Sequence, residues 1–136
     1  MNNKFAPDAF LSALTSRDFM RFAQSLAPSA QARLLLPRGP EVRSGREEIA
    51  RRFEGWFANA SDFEVLESNH EQVGSRSRLN WRFRLRRDAQ APEVIEQVAF
   101  VDVGPDGVSQ VDLICSGFLP EEGAVAPGVF DSCSVS

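Results

Sequence analysis

Few side chains in this sequence of 136 residues can move a proton, and they set the first question. His70 is the single histidine, and histidine alone has an ordinary pKa close to neutrality. It precedes the turn at Gly74-Ser75, so it stands either exposed at a sheet end or at a pocket mouth as an acid or base. Asp112 lies in the apolar run Val111-Asp112-Leu113-Ile114. A carboxylate walled by apolar groups has a raised pKa and can shuttle a proton. The alternative is that Asp112 faces solvent or pairs with an arginine. If the turn at Gly104-Pro105-Asp106-Gly107 sets a simple register, residue 103 pairs with 108 and Asp112 lies opposite Ala99. It then shares a face with Ile95, Gln97, Val101 and Ile114, while Val98, Phe100, Val111, Leu113 and Cys115 form plain core.

Metal and cofactor chemistry find no support. Two cysteines, Cys115 and Cys133, and one histidine offer no ligand spacing, and no glycine loop is built to cradle phosphate. No cofactor and no metal site are therefore expected. Cys115 reads as a small buried hydrophobe, and Cys133 as a thiol in a terminal tail.

The stretch Arg76–Arg87 organises the rest. Arg76, Arg78, Asn80, Arg82, Arg84 and Arg86 alternate with Leu79, Trp81, Phe83 and Leu85. Alternation with period two predicts a strand with one guanidinium face and one aromatic face. Three arrangements suit the charged face. It can be a solvated surface paired with Glu64 or Glu67 of the preceding strand. It can be a dimer interface through Arg78, Arg82 and Arg84. It can track a phosphate backbone, but the aromatics lie on the opposite face and cannot stack bases beside it. With a net charge of −4, a nucleic-acid partner is disfavoured. Phe22, Trp56, Phe57, Trp81 and Phe83 converge either as core or as the wall of a ligand pocket.

The elements that position these residues follow from punctuation and period. Pro7-Asp8 opens a helix bearing Phe10, Leu11 and Leu14. Ser16 caps a second, with Phe19, Phe22, Ala23 and Leu26 on one face, and Pro28 ends it. Residues 31–36 form a short strand and 37–40 a turn. Ser44-Gly45-Arg46-Glu47 has the form of a capping box, and the helix it opens aligns Ile49, Phe53, Trp56 and Phe57. Strands follow at 63–73, 76–87, 94–103 and 108–118. Beyond Pro120 the composition turns to Gly, Ala, Pro and Ser, which predicts one domain over 1–120 and a mobile tail over 121–136. The class is α+β: three N-terminal helices on one face of a strongly curved antiparallel sheet. No apolar run approaches the roughly 20 residues that span a bilayer, and MNNKFAPDAF lacks the character of a secretory leader. The expected compartment is the cytoplasm, with no membrane partner.

This order of elements, the helix opening Ser44-Gly45-Arg46-Glu47-Glu48-Ile49 and the closing hairpin GPDGVSQVDLICSGF resemble the nuclear transport factor 2-like superfamily, and within it the SnoaL-like group. The resemblance covers about residues 7–120. It implies a cone-shaped sheet closed by three helices, an internal pocket, and a homodimer through the outer sheet face. It also implies Asp112 as the acidic residue of the last strand that polyketide-cyclase-like members use. Other sites of the superfamily fit less well. A ketosteroid-isomerase-like oxyanion donor is missing, because the chain has no tyrosine. An epoxide-hydrolase-like Asp–Arg–Asp set would draw on Asp102, Arg82 or Arg84, and Asp112. The expected function is a small-molecule pocket protein that binds an apolar ligand or performs isomerase-, cyclase- or dehydratase-type acid–base chemistry on it. The alternative is a non-catalytic dimeric interaction module that uses the arginine face.

Overall fold

A computed structural model describes residues 4–121. The tail expected over 121–136 therefore lies, apart from Glu121, outside the described residues, as does Cys133. Helices α1 (Ala6–Thr15), α2 (Phe19–Gln24) and α3 (Arg46–Phe57) cover one face of a curved sheet. Its strands are β1 (Leu26–Leu36), β2 (Gly39–Ser44), β3 (Asp62–Val73), β4 (Arg76–Arg86), β5 (Glu93–Gly104), β6 (Gly107–Cys115) and β7 (Leu119–Pro120). The spatial order is β2-β1-β6-β5-β4-β3, with β7 paired to β5. The sheet is mixed rather than purely antiparallel, because β1 runs parallel to β6.

The alternation in β4 sorts as its sequence predicts. Leu79, Trp81, Phe83 and Leu85 are buried under the helices, while the arginines emerge on the far side. The helices contribute Phe10, Phe22, Phe53 and Phe57, all fully buried. Their rings interlock with one another, Phe10–Phe22 at 4.6 Å and Phe22–Phe53 at 4.8 Å between centroids, and with the strand through Phe57–Phe83 at 5.1 Å. Burial of each such side chain is worth about 1.5–3 kcal/mol, so this cluster is the main apolar contribution to the domain.

Three local expectations change. The strand expected over 31–36 starts at Leu26, with an irregularity between Leu26 and Gln31 that accommodates Pro28. The cap of α2 is Asp18, whose carboxylate accepts from the Arg21 N–H at 3.2 Å, and not Ser16. The capping box at Ser44 is displaced. Gly45, at φ +91°, is the N-cap, the Ser44 hydroxyl bonds the Gln31 side chain, and Glu48 rather than Glu47 accepts from the Ser44 N–H at 3.4 Å. A feature with no simple sequence signal holds the other end of α3. Arg17, in a left-handed conformation at φ +56°, donates to the carbonyls of Phe57 (3.0 Å) and Ala60 (3.1 Å). A cation at a helix C-terminus complements the orphan carbonyls there.

The β5–β6 hairpin turns at Gly107, which lies at φ +126°, and a Cβ there would sit 2.7 Å from the Ser25 carbonyl oxygen. The neighbouring Val108 N–H donates to that same oxygen at 2.9 Å. Gly107 is thus required for both conformation and approach. Gly107→Ala is expected to cost at least about 2 kcal/mol, read as a lowered urea midpoint. An unchanged midpoint would refute this account of the contact.

Candidate pocket at the open end of the sheet

The residue expected to move protons is not where that chemistry needs it. The turn pairs Val103 with Val108 as expected, but a bulge follows, and the next pairs are Asp102–Gln110, Val101–Val111 and Phe100–Asp112. One extra residue reverses every subsequent side chain. Val111 and Leu113 therefore face the helices with Ile95, Gln97, Ala99 and Val101. Asp112 points to the outer face with Val98, Phe100 and Ile114. Opposite Phe100 rather than Ala99, it accepts from Arg33 Nε (2.7 Å) and Nη2 (3.0 Å), Arg76 Nη2 (2.8 Å) and Gln110 Nε2 (2.9 Å). The Arg33 hydrogen bonds, reinforced by Arg76 and Gln110 and opposed by partial burial, hold its carboxyl well below the usual carboxylate range. The raised pKa expected of an apolar pocket is thereby overturned, and the alternative of pairing with the arginine stripe holds.

Arg76 also bonds Asp102 at 2.8 Å. An Asp–Arg–Asp set consequently exists, but with Arg76 in place of Arg82 or Arg84, and on the sheet face away from the helices. His70 lies on the helix side instead, its Nδ1 2.7 Å from the Asp8 carboxylate in the first turn of α1. The two residues singled out as acid and base do not meet.

The remaining arginines are matched within the chain. Arg78 lies 3.6 Å from Glu71, and Arg82 pairs with Glu96 (2.9 Å) and Glu67 (3.5 Å). Arg84 pairs with Glu121 (2.5 Å) and Glu64 (3.7 Å), and Arg86 with Asp62. Cross-strand carboxylates from Glu64 and Glu67 are among the partners anticipated from the sequence. A stripe neutralised in this way offers little free charge to a phosphate backbone.

A different site emerges where α3, the β1–β2 turn and the segment after β6 come together. It is a pocket of about 590 Å³ whose walls include Leu36, Arg38, Glu41, Arg52, Trp56, Arg87, Cys115 and Phe118. Of the five aromatics expected to wall a pocket, Trp56 lines this one. Phe22, Phe57, Trp81 and Phe83 are fully buried core. Arg52 donates to Glu41 at 2.7 and 3.3 Å and lies over the Trp56 ring at 4.9 Å. Arg87 lies over Phe118 at 4.1 Å and donates to the Trp56 carbonyl (3.2 Å) and to Glu93 (3.3 Å). Burial would raise the Glu41 pKa, but hydrogen bonds from Arg52 and Arg43 outweigh it and the net shift is downward. Burial pushes the Cys115 thiol up, against the Gly117 N–H and Gln97 bonds that favour its thiolate. A polar path links this rim to the core: the Trp81 indole N–H donates to Gln97 at 2.7 Å, and the Gln97 amide donates to Cys115 Sγ at 3.3 Å.

No protein-family model and no curated protein sequence matches this chain. Solved structures do match its fold. An uncharacterized cystatin-fold protein from Novosphingobium aromaticivorans is 22% identical with a TM-score of 0.65, over 84% of this chain and 98% of that one. A protein described as a SnoaL-like polyketide cyclase from Shewanella putrefaciens is 10% identical with a TM-score of 0.62, over 82% and 88%. An epoxide hydrolase of LEH-like type from M. tuberculosis is 16% identical with a TM-score of 0.62, over 81% and 79%. The chain has the nuclear transport factor 2-like α+β fold. Among the described residues no helix is long and apolar enough to cross a membrane.

Asp112 should behave as a structural anion. Because its folded pKa is lowered, its stabilisation is complete above the unfolded value of about 4 and is lost as pH falls toward the folded one. Asp112→Asn is expected to destabilise the domain by about 1–2 kcal/mol at neutrality, with the difference from wild type shrinking by about pH 3. Urea melts at the two pH values check this, and a variant equal to wild type at neutrality would contradict it.

Proposed function

We propose that this chain is a small-molecule-binding protein whose ligand seats in the pocket between α3, the β1–β2 turn and the segment following β6. The observation that carries the reading is the pocket's composition: the rim of the aromatic core, nearly buried Trp56 and half-buried Phe118, beside oriented polar groups. Concave sites with apolar walls and a few directed polar groups are the usual form of ligand pockets. Binding suits this lining better than proton transfer does. Glu41 is held ionised and Cys115 is held protonated, so neither shuttles a proton near neutrality. Fold likeness to cyclases and an epoxide hydrolase does not supply the missing acid–base pair.

A screen of neutral aromatic fragments followed by amide NMR tests this reading. Binders should shift the Gly39, Gly117 and Trp56 indole N–H signals, and Trp56→Ala should weaken them at least about tenfold. Hits that map elsewhere, or that survive Trp56→Ala undiminished, would overturn it.

A second reading, homodimerisation through the outer face, rests on a separate observation. Beside the charged half of that face, Leu35, Val42, Val98, Phe100 and Ile114 line an apolar groove of about 420 Å³. Ile114 is 56% exposed and Val42 63%, which is costly for a lone surface. Arg78, Arg82 and Arg84 would then form a polar rim to an apolar centre. Ile114→Glu should halve the sedimenting mass whereas Arg82→Glu should not. A monomeric wild type at high concentration would dismiss the dimer.

A further inference from the structure

The charge of the pocket points to what its ligand carries. The walls bring three guanidinium groups, Arg38, Arg52 and Arg87, against one lining carboxylate, Glu41, with Glu93 behind Arg87 at 3.3 Å, in a chain whose net charge is −4. That carboxylate is already held by two guanidinium groups, Arg43 at 2.8 Å and Arg52 at 2.7 Å, both at Oε2. Arg38, in the β1–β2 turn, is paired with no carboxylate among the described residues. We infer that the pocket selects a flat organic monocarboxylate, with its ring body on Trp56, Phe118 and Leu36 and its carboxylate among Arg38, Arg52 and Arg87. The inference rests on the binding reading above.

Geometry favours a planar anion. Arg52 and Arg87 each hold the guanidinium carbon over an aromatic ring, 4.9 and 4.1 Å from its centroid. Such cation–π seating fixes the position of the guanidinium, whose N–H fork suits a planar carboxylate. Edge donors remain. Arg52 spends Nε and Nη2 on Glu41, and Arg87 spends Nη1 and Nη2 on Glu93 and the Trp56 carbonyl. Arg52 Nη1 and Arg87 Nε therefore have no protein acceptor among the described residues. Glu41 in the wall disfavours multiply charged groups such as phosphate, because a second negative charge would meet its carboxylate. A volume of about 590 Å³ admits a two-ring body.

The test compares two probes of nearly equal shape, 2-naphthoate and 2-naphthamide, titrated into the 15N-labelled full chain. Naphthoate is expected to shift the Gly39, Gly117 and Trp56 indole N–H signals and to bind at least about tenfold more tightly than the amide. The gap should narrow with added salt and close in the Arg38→Gln/Arg87→Gln variant, whose own amide spectrum reports whether it is folded. If that variant is not folded, the single change Arg38→Gln, at an exposed turn, should narrow the gap alone. Equal affinities, or a gap that survives loss of the arginines, would overturn the inference while leaving pocket binding intact, and naphthoate shifts confined to Val98 and Ile114 would overturn both. If neither probe moves the pocket signals, the binding reading falls and this inference with it.

Discussion

One rung of the sheet fixes the rest of the molecule. Trp81, Gln97 and Cys115 are direct partners across β4, β5 and β6, and their side chains bond in sequence, indole N–H to amide oxygen and amide N–H to sulfur. Trp81 and Gln97 are fully buried, so neither has water as an alternative partner. A slip of one residue would set Glu96 or Val98 beside the indole. It would either bury a carboxylate or orphan the N–H, and both are costly. The rung thereby decides which face receives the helices, and its sulfur end opens on the pocket.

From that choice the two faces divide their work. The inner face is filled by interlocked rings and opens at the rim where Trp56, Cys115 and Phe118 lie. The outer face is two surfaces side by side. Toward β3 it is a ladder of arginines answered by carboxylates of neighbouring strands. Toward β2 it is apolar. Surface ion pairs each contribute little, so the ladder serves better to keep Arg82 and Arg84 solvated and in register than to hold the domain together.

The legible parts of this structure were those set by local rules. Period two in β4 assigns Trp81 and Phe83 inward and the arginines outward, and the two-residue turn at Gly74-Ser75 puts Glu67 across from Arg82, whereas Glu64 reaches Arg84 only through the irregularity between Val65 and Glu67. Asp112 was misplaced because the Gly104–Gly107 signal fixes where a hairpin begins, not whether its ladder stays continuous. The bulge near Ser109 carries no residue signature strong enough to announce itself. The pocket was harder still. Arg38, Arg52, Arg87 and Phe118 come from four separated stretches, and no spacing in the chain records their convergence. Arg87 closes the arginine-rich stretch at 76–87, whereas Arg38 and Arg52 lie in other parts of the chain. Trp56 was the one hint, an aromatic at the end of a helix face where the core runs out.

The parallel pairing of β1 with β6 has a consequence for how the chain reaches this state. Arg33 and Asp112 meet across 79 positions of sequence, and no shorter connection joins β1–β2 to the other strands of the sheet. The hairpins β3–β4, β4–β5 and β5–β6 close locally, but the two halves of the sheet unite only through that one distant seam. Loop-closure entropy opposes it until the apolar rewards of Leu34 and Leu113 are in reach. During synthesis the early β1–β2 arm must therefore wait, its inward edge unpaired, until β6 has emerged to receive it. The order of assembly is written in the topology: local hairpins first, the seam last.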